Sequence, residues 1–135
     1  FAELGEAAFR DGERKVIARL VAERPARVIA TGGGAFMDPE TRAFLKAEAD
    51  TVWIDAALET LWDRVKDKPG RPLLETDDPR GTLAALLERR APVYAEADHR
   101  VVSEPDQPHE AVVARILETL GRAAVSYPPE GNYDD

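Results

Sequence analysis

Apolar positions recur with two different periods along this chain, and the switches between them predict alternating helices and strands. From Gly5 to about Glu23, Phe9, Val16, Ile17, Leu20 and Val21 return at helical spacing, and Pro25 closes the run. Gly12 weakens the middle of that helix by about 1 kcal/mol relative to alanine. Val28 and Ile29 are β-branched and read as a short buried strand that runs into Gly32-Gly33-Gly34. Asp38 and Pro39 supply an N-cap and a first-turn proline for a helix to about Glu48. Thr51 to Asp55 reads as a second buried strand. From Ala56 to about Lys68 a helix turns Leu58, Leu61, Trp62 and Val65 inward, with Trp62 read as core and Arg64 near the end.

Beyond Asp67 the character changes to a charged, proline-rich surface segment reaching Pro79, the size of an active-site lid, with Arg71 between Gly70 and Pro72. Asp78 and Pro79 cap the next helix, which buries Leu83, Leu86 and Leu87 and ends at Arg89-Arg90, where Pro92 bends the chain and Tyr94 packs. Arg100 to Ser103 is the third predicted strand. Pro108 starts the last helix, whose stripe of Val112, Val113, Ile116, Leu117 and Leu120 reads as core. Residues 123–135 read as a disordered tail by composition, leaving 1–122 as the domain. Helices alternating with three short strands predict an α/β fold, a three-layer sandwich around a mostly parallel sheet. Three strands make a thin sheet, so two more are expected, from an upstream segment or a partner chain.

The glycines carry the first chemistry. Three in succession remove every Cβ from the end of the strand, permit positive φ and let a ligand meet backbone N–H groups. Strand, glycine turn and helix is also the arrangement that places ligands at the carboxyl edge of an open α/β sheet. A triple glycine serves a tight crossover equally well, and the neighbouring segments favour the ligand. Arg10 and Glu13 share a helix face three residues apart, so Glu13 can steady a guanidinium suited to a bidentate grip on a carboxylate.

Charge and composition narrow the ligand. The net charge of -8 excludes a nucleic-acid partner, which needs a dominant basic surface. Basic residues nevertheless gather at Arg64, Lys66, Lys68, Arg71, Arg80 and Arg89-Arg90, which suits a small anion. There is no cysteine, and His99 and His109 are too few for a metal cluster, so no protein metal site is expected. The absence of a membrane-length apolar run and of a signal peptide predicts a cytoplasmic protein without a membrane partner.

Taken together, Gly5-Glu6 with Phe9-Arg10 and Glu13, the block Ile29-Ala30-Thr31-Gly32-Gly33-Gly34-Ala35, Arg71-Pro72-Leu73-Leu74 and Arg89-Arg90-Ala91-Pro92-Val93-Tyr94 resemble the shikimate kinases, from Phe1 to about Leu120. The resemblance implies a P-loop kinase fold and transfer of the ATP γ-phosphoryl group to the 3-hydroxyl of shikimate, with Mg²⁺, in the making of aromatic amino acids. By that resemblance Arg10 and Arg90 grip the shikimate carboxylate and Gly32, Gly33 and Gly34 line the pocket. Phe1 and Phe9 form its apolar wall, and Glu13 steadies Arg10. Arg71 is the lid arginine that reaches the phosphates, while Arg64 and Pro108 lie beside adenine. The partners implied are shikimate and ATP, with a monomer as the complete state.

The sequence departs from that family at its start. The family opens with a strand, a Gly-x-x-x-x-Gly-Lys-Ser/Thr loop and an Asp-x-Asp segment, and none of them occurs in these residues, which begin on Phe. Asp11-Gly12 after Arg10 replaces the basic residue the family more often carries there. The expectation is therefore a fold incomplete at the N-terminus, a kinase whose upstream part is missing and which is inactive as this chain alone. Two other readings are a non-catalytic shikimate-binding module and a related small-molecule kinase such as a gluconate kinase.

Overall fold

The computed structural model describes residues 5–68 and 75–123. Among them, helix α1 (Gly5–Ala22) leads through a 3-10 turn (Ala35–Met37) to α2 (Pro39–Glu48) and strand β1 (Val52–Asp55). There follow α3 (Leu58–Val65), α4 (Pro79–Tyr94), strand β2 (His99–Val102) and α5 (His109–Ala123). The described residues divide into two units between Thr51 and Val52.

In the first unit the apolar stripe of α1 delivers Ile17 to a small core with Ala35 and Leu45, ringed by Val21, Phe36, Phe44 and Ala49. Ala35 is completely buried. Helix α1 ends as the spacing predicts, and Arg24 donates from Nη1 to the carbonyls of Val21 and Glu23, both at 2.9 Å. Helix α2 begins where the Asp38 carboxylate accepts from the Thr41 N–H at 3.0 Å and the Thr41 hydroxyl at 2.9 Å, with Pro39 at the first helical position. These bonds satisfy amide donors that a helix start leaves without partners.

In the second unit β1 and β2 pair in parallel, Val52 beside His99 and Asp55 beside Val102. The Ser103 N–H extends the ladder to the Asp55 carbonyl at 2.7 Å. Val101 is buried on this sheet, α5 packs on β2, and α3 packs on α4, which contributes buried Leu83. Tyr94 packs as expected, its ring tilted at 59° to Trp53 with centroids 6.1 Å apart. Trp62, expected in the core, is half-buried. Across the ladder Arg100 forms an ion pair with Asp55, Nε to Oδ2 at 2.8 Å, and lies 5.4 Å from the centre of the Trp53 ring.

The α/β class and the parallel pairing agree with the sequence pattern, while three details differ. The segment around Val28 and Ile29 forms no strand, and Val28 is 99% exposed. A strand exists only through a ladder to a neighbour, and no described strand pairs with it. Helix α4 does not stop at Arg90 but runs through Pro92 to Tyr94, its end closed by the Ala95 N–H on the Ala91 carbonyl at 2.9 Å. Proline removes one donor, and the turn beyond it still closes. Finally, Val113 and Leu117 of the α5 stripe are exposed, as is Ile54 of β1. Two strands offer too little surface to cover a whole helix face. Among the described residues no helix is long and apolar enough to cross a membrane. Phe1, residues 69–74 of the lid segment, which include Arg71, and the tail from residue 124 lie outside the described residues.

Because Ala35 has no free surface, a larger side chain there must displace its neighbours. Ala35→Leu in the full-length protein is expected to lower unfolding free energy by about 1–3 kcal/mol, read as a drop in the urea midpoint at unchanged m-value.

Candidate active site

The helical spacing of α1 stacks Arg10 and Arg14 one turn apart on one face. Arg10 is held from three directions. Its Nη1 forms an ion pair with Glu13 Oε1 at 2.5 Å, with both side chains largely buried. Its Cζ lies 5.0 Å from the centre of the Phe9 ring. A Cβ placed on Gly34 would fall 3.0 Å from that Cζ, so the guanidinium lies against bare backbone. A guanidinium has five N–H donors, and one carboxylate oxygen does not exhaust them. The arrangement can therefore grip a planar anion.

The role of the glycines needs one correction. Gly34 has φ -84°, and among the described residues Gly5 is the glycine with positive φ. The turn uses glycine for room, not for left-handed backbone. A Cβ on Gly32 would meet no protein atom within 4 Å, so protein packing alone does not demand glycine there. The turn is closed by Ala35 N–H on the Gly32 carbonyl and Met37 N–H on the Gly34 carbonyl, both at 3.1 Å. Arg42 donates to the Phe36 carbonyl, also at 3.1 Å.

The sequence reading takes Asp38 only as a helix cap and misses a second partner. Arg14 Nη1 lies 3.0 Å from Asp38 Oδ1 and 2.9 Å from Oδ2. Its Nε reaches Glu40 at 3.3 Å, and Asp11 stands 4.0 Å from Nη2. Burial raises the Asp38 carboxyl, but the bonds from Arg14 and from the Thr41 amide and hydroxyl, with the Arg14 charge, outweigh it and hold the group below the ordinary carboxylate range. The same bond, with the nearby carboxylates, raises Arg14. The one signal in the sequence was the spacing of Arg14, four residues after Arg10.

In the second unit Arg64 at the end of α3 donates to Ser103 Oγ at 2.9 Å and to the Glu104 carbonyl at 3.2 Å. It thereby joins the loop that carries Pro108, in which Gln107 accepts from the Glu104 N–H at 2.8 Å and Asp106 holds a φ of 57°. The Pro108 carbonyl accepts from the Ala111 N–H at 3.0 Å as α5 begins. Arg90 on α4 is half-buried, and among the described residues its side chain has no ion pair or hydrogen bond. Two members of the expected basic cluster are neutralised locally, Lys66 pairing with Asp63 at 3.3 Å and Arg80 with Glu59. Among the described residues no three His, Asp or Glu side chains gather as a cation site.

The family model described as shikimate kinase matches residues 1–121. The chain belongs to the shikimate kinase family. It is 54% identical over 120 residues to a shikimate kinase of Paramagnetospirillum magneticum, with 89% of this chain and 60% of that protein covered. It is 52% identical over 123 residues to one of Caulobacter vibrioides, covering 91% and 60%. Two solved shikimate kinases share the fold. The Bacteroides thetaiotaomicron enzyme has a TM-score of 0.79 at 29% identity, covering 90% of this chain and 72% of that one. The Acinetobacter baumannii enzyme, in complex with shikimate, has a TM-score of 0.75 at 30% identity, covering 90% and 68%. The chain thus spans about 60% of the length of the curated shikimate kinases it matches.

A carboxyl whose folded value lies below its unfolded one stabilises fully above the unfolded value, about 3.9 for Asp, and that stability is lost as pH falls through the folded value. Asp38→Asn keeps an oxygen for the cap and removes the titration. Comparing urea midpoints of the full-length protein and this variant, the parent's advantage is expected to be full at about pH 6 and to shrink progressively below about pH 4.

Proposed function

We propose that the full-length protein transfers the γ-phosphoryl group of ATP to the 3-hydroxyl of shikimate, a step toward aromatic amino acids, with Mg²⁺ as the family's metal. The observation that carries the reading is Arg10, oriented by Glu13 and set against the Gly34 backbone, in a chain that belongs to the shikimate kinases. The Acinetobacter relative solved with shikimate supports this substrate.

On this reading the Arg10 fork binds the shikimate carboxylate through two parallel N–H bonds, with Phe9 as apolar wall and Gly32 to Gly34 giving the ring access to backbone. By the family resemblance, Arg90 is proposed as a second cation for the carboxylate. Arg64 and Pro108 belong to the adenine side, a role supported by the bonds from Arg64 to Ser103 and Glu104. Arg71 completes the site from the lid and stabilises charge on the phosphates.

These 135 residues contain no Gly-x-x-x-x-Gly-Lys-Ser/Thr loop, and the described residues offer no carboxylate cluster that fits Mg²⁺. No step is therefore assigned to the metal through this chain's residues, and turnover is proposed for the full-length protein and not for these residues by themselves. The protein is proposed to be cytoplasmic and monomeric.

The test is ADP release by the full-length protein with ATP and Mg²⁺, with shikimate present, absent, or replaced by gluconate. Shikimate-dependent release supports the reading; release driven by gluconate, or none with either, overturns it. Two variants sharpen the assignment. Arg10→Lys is expected to reduce kcat/KM for shikimate nearly as much as Arg10→Ala, about 100-fold or more, because a point charge cannot reproduce the planar fork. Gly34→Ala is expected to raise KM for shikimate, because its Cβ would force the Arg10 guanidinium aside.

A further inference from the structure

Arg10 and Gly34 form one rung between α1 and the glycine turn, and Arg14 and Asp38 form a second, each partner four residues further along. The 3-10 turn of Ala35–Met37 lies between the two rungs on one side, and one turn of α1 on the other. The first rung is a contact of a guanidinium with bare backbone, which does not fix a position. Glu13 belongs to the same helix as Arg10, so it sets the direction of the guanidinium but not the placement of α1 against the turn. The Ile17 and Ala35 packing draws the two segments together, yet apolar contact is non-directional. A guanidinium bound to both oxygens of a carboxylate is directional, and Asp38 is itself anchored by the Thr41 amide and hydroxyl at the start of α2.

We propose that Arg14 and Asp38 are positioning residues that hold the Arg10 guanidinium over the Gly34 backbone and thereby set the affinity for the substrate carboxylate. This rests on the reading of the site as a shikimate pocket. Neither residue touches the substrate. Both act through Arg10.

The experiment uses the full-length protein and the variants Arg14→Leu, Asp38→Asn and their combination, with ADP release measured against shikimate and against ATP. Each single variant is expected to raise KM for shikimate about tenfold while kcat and KM for ATP stay within about twofold. The double variant is expected to be no worse than either single, because both remove one interaction. Asp38→Asn retains a cap oxygen, so its effect on KM does not follow from loss of the helix start, and Arg14→Lys, with charge but no fork, is expected to fall between parent and Arg14→Leu. A lowered melting temperature with unchanged KM for shikimate overturns the proposal, because it leaves the pair only a structural role. A parent protein without shikimate-dependent ADP release overturns the functional reading instead. The crystal structure of the Arg14→Leu protein then decides the positioning separately: Arg10 Cζ displaced from Gly34 supports it, and Arg10 in place overturns it.

Discussion

The Asp38 carboxylate is the junction on which the first unit depends. It closes the start of α2 through the Thr41 amide and hydroxyl, and in the same place receives the fork of Arg14 from α1. A partly buried carboxylate is best tolerated when its oxygens are satisfied, and here the partners come from two helices at once. Their meeting lies where the glycine turn ends, since Asp38 is also the last residue of the 3-10 turn's hydrogen-bonded run, its N–H on the Ala35 carbonyl at 3.2 Å. Ala35 is sealed beneath that turn as a consequence, and Gly34 is brought against Arg10.

What the sequence made legible was local. The Arg10 and Glu13 pair follows from an i, i+3 spacing that any helix would realise, and it is formed. The caps at Asp38 and Asp78 follow from side chains that reach amides three residues on. The bareness of the glycine turn was legible, but its reason was not: positive φ is a property of one residue, whereas the space at Gly34 is set by an arginine twenty-four positions earlier. The Arg14 and Asp38 pair escaped for the same cause, since nothing in either residue's neighbourhood announces a partner at that separation. Val28 and Ile29 have strand composition, yet composition supplies only half of a ladder. Pro92 reads as a stop because the loss of one donor is local, and the continuation of α4 to Tyr94 depends on packing that the pattern does not encode.

The second unit shows the same dependence on partners at a larger scale. Parallel sheets are usually covered on both faces, and a pair of strands alone is marginal. Ile54, Val113 and Leu117 remain exposed on this pair and its helix, although their spacing is that of a buried stripe. The stripe is thus legible in the sequence, while among the described residues the surface that would cover it is not provided.

On the proposed reading, the electrostatic state of Arg10 decides what it can offer the shikimate carboxylate. Arg10 is already paired with Glu13, so its fork is oriented before substrate arrives and little side-chain freedom is lost on binding. The same pairing cancels its charge: guanidinium and carboxylate together are neutral, and a second carboxylate approaching them gains geometry more than attraction. What Arg10 contributes on this reading is therefore direction, through a fork held in place, more than net charge. An acidic protein of net charge -8 can in this way recognise a small anion by the geometry of one held arginine without a broad basic surface.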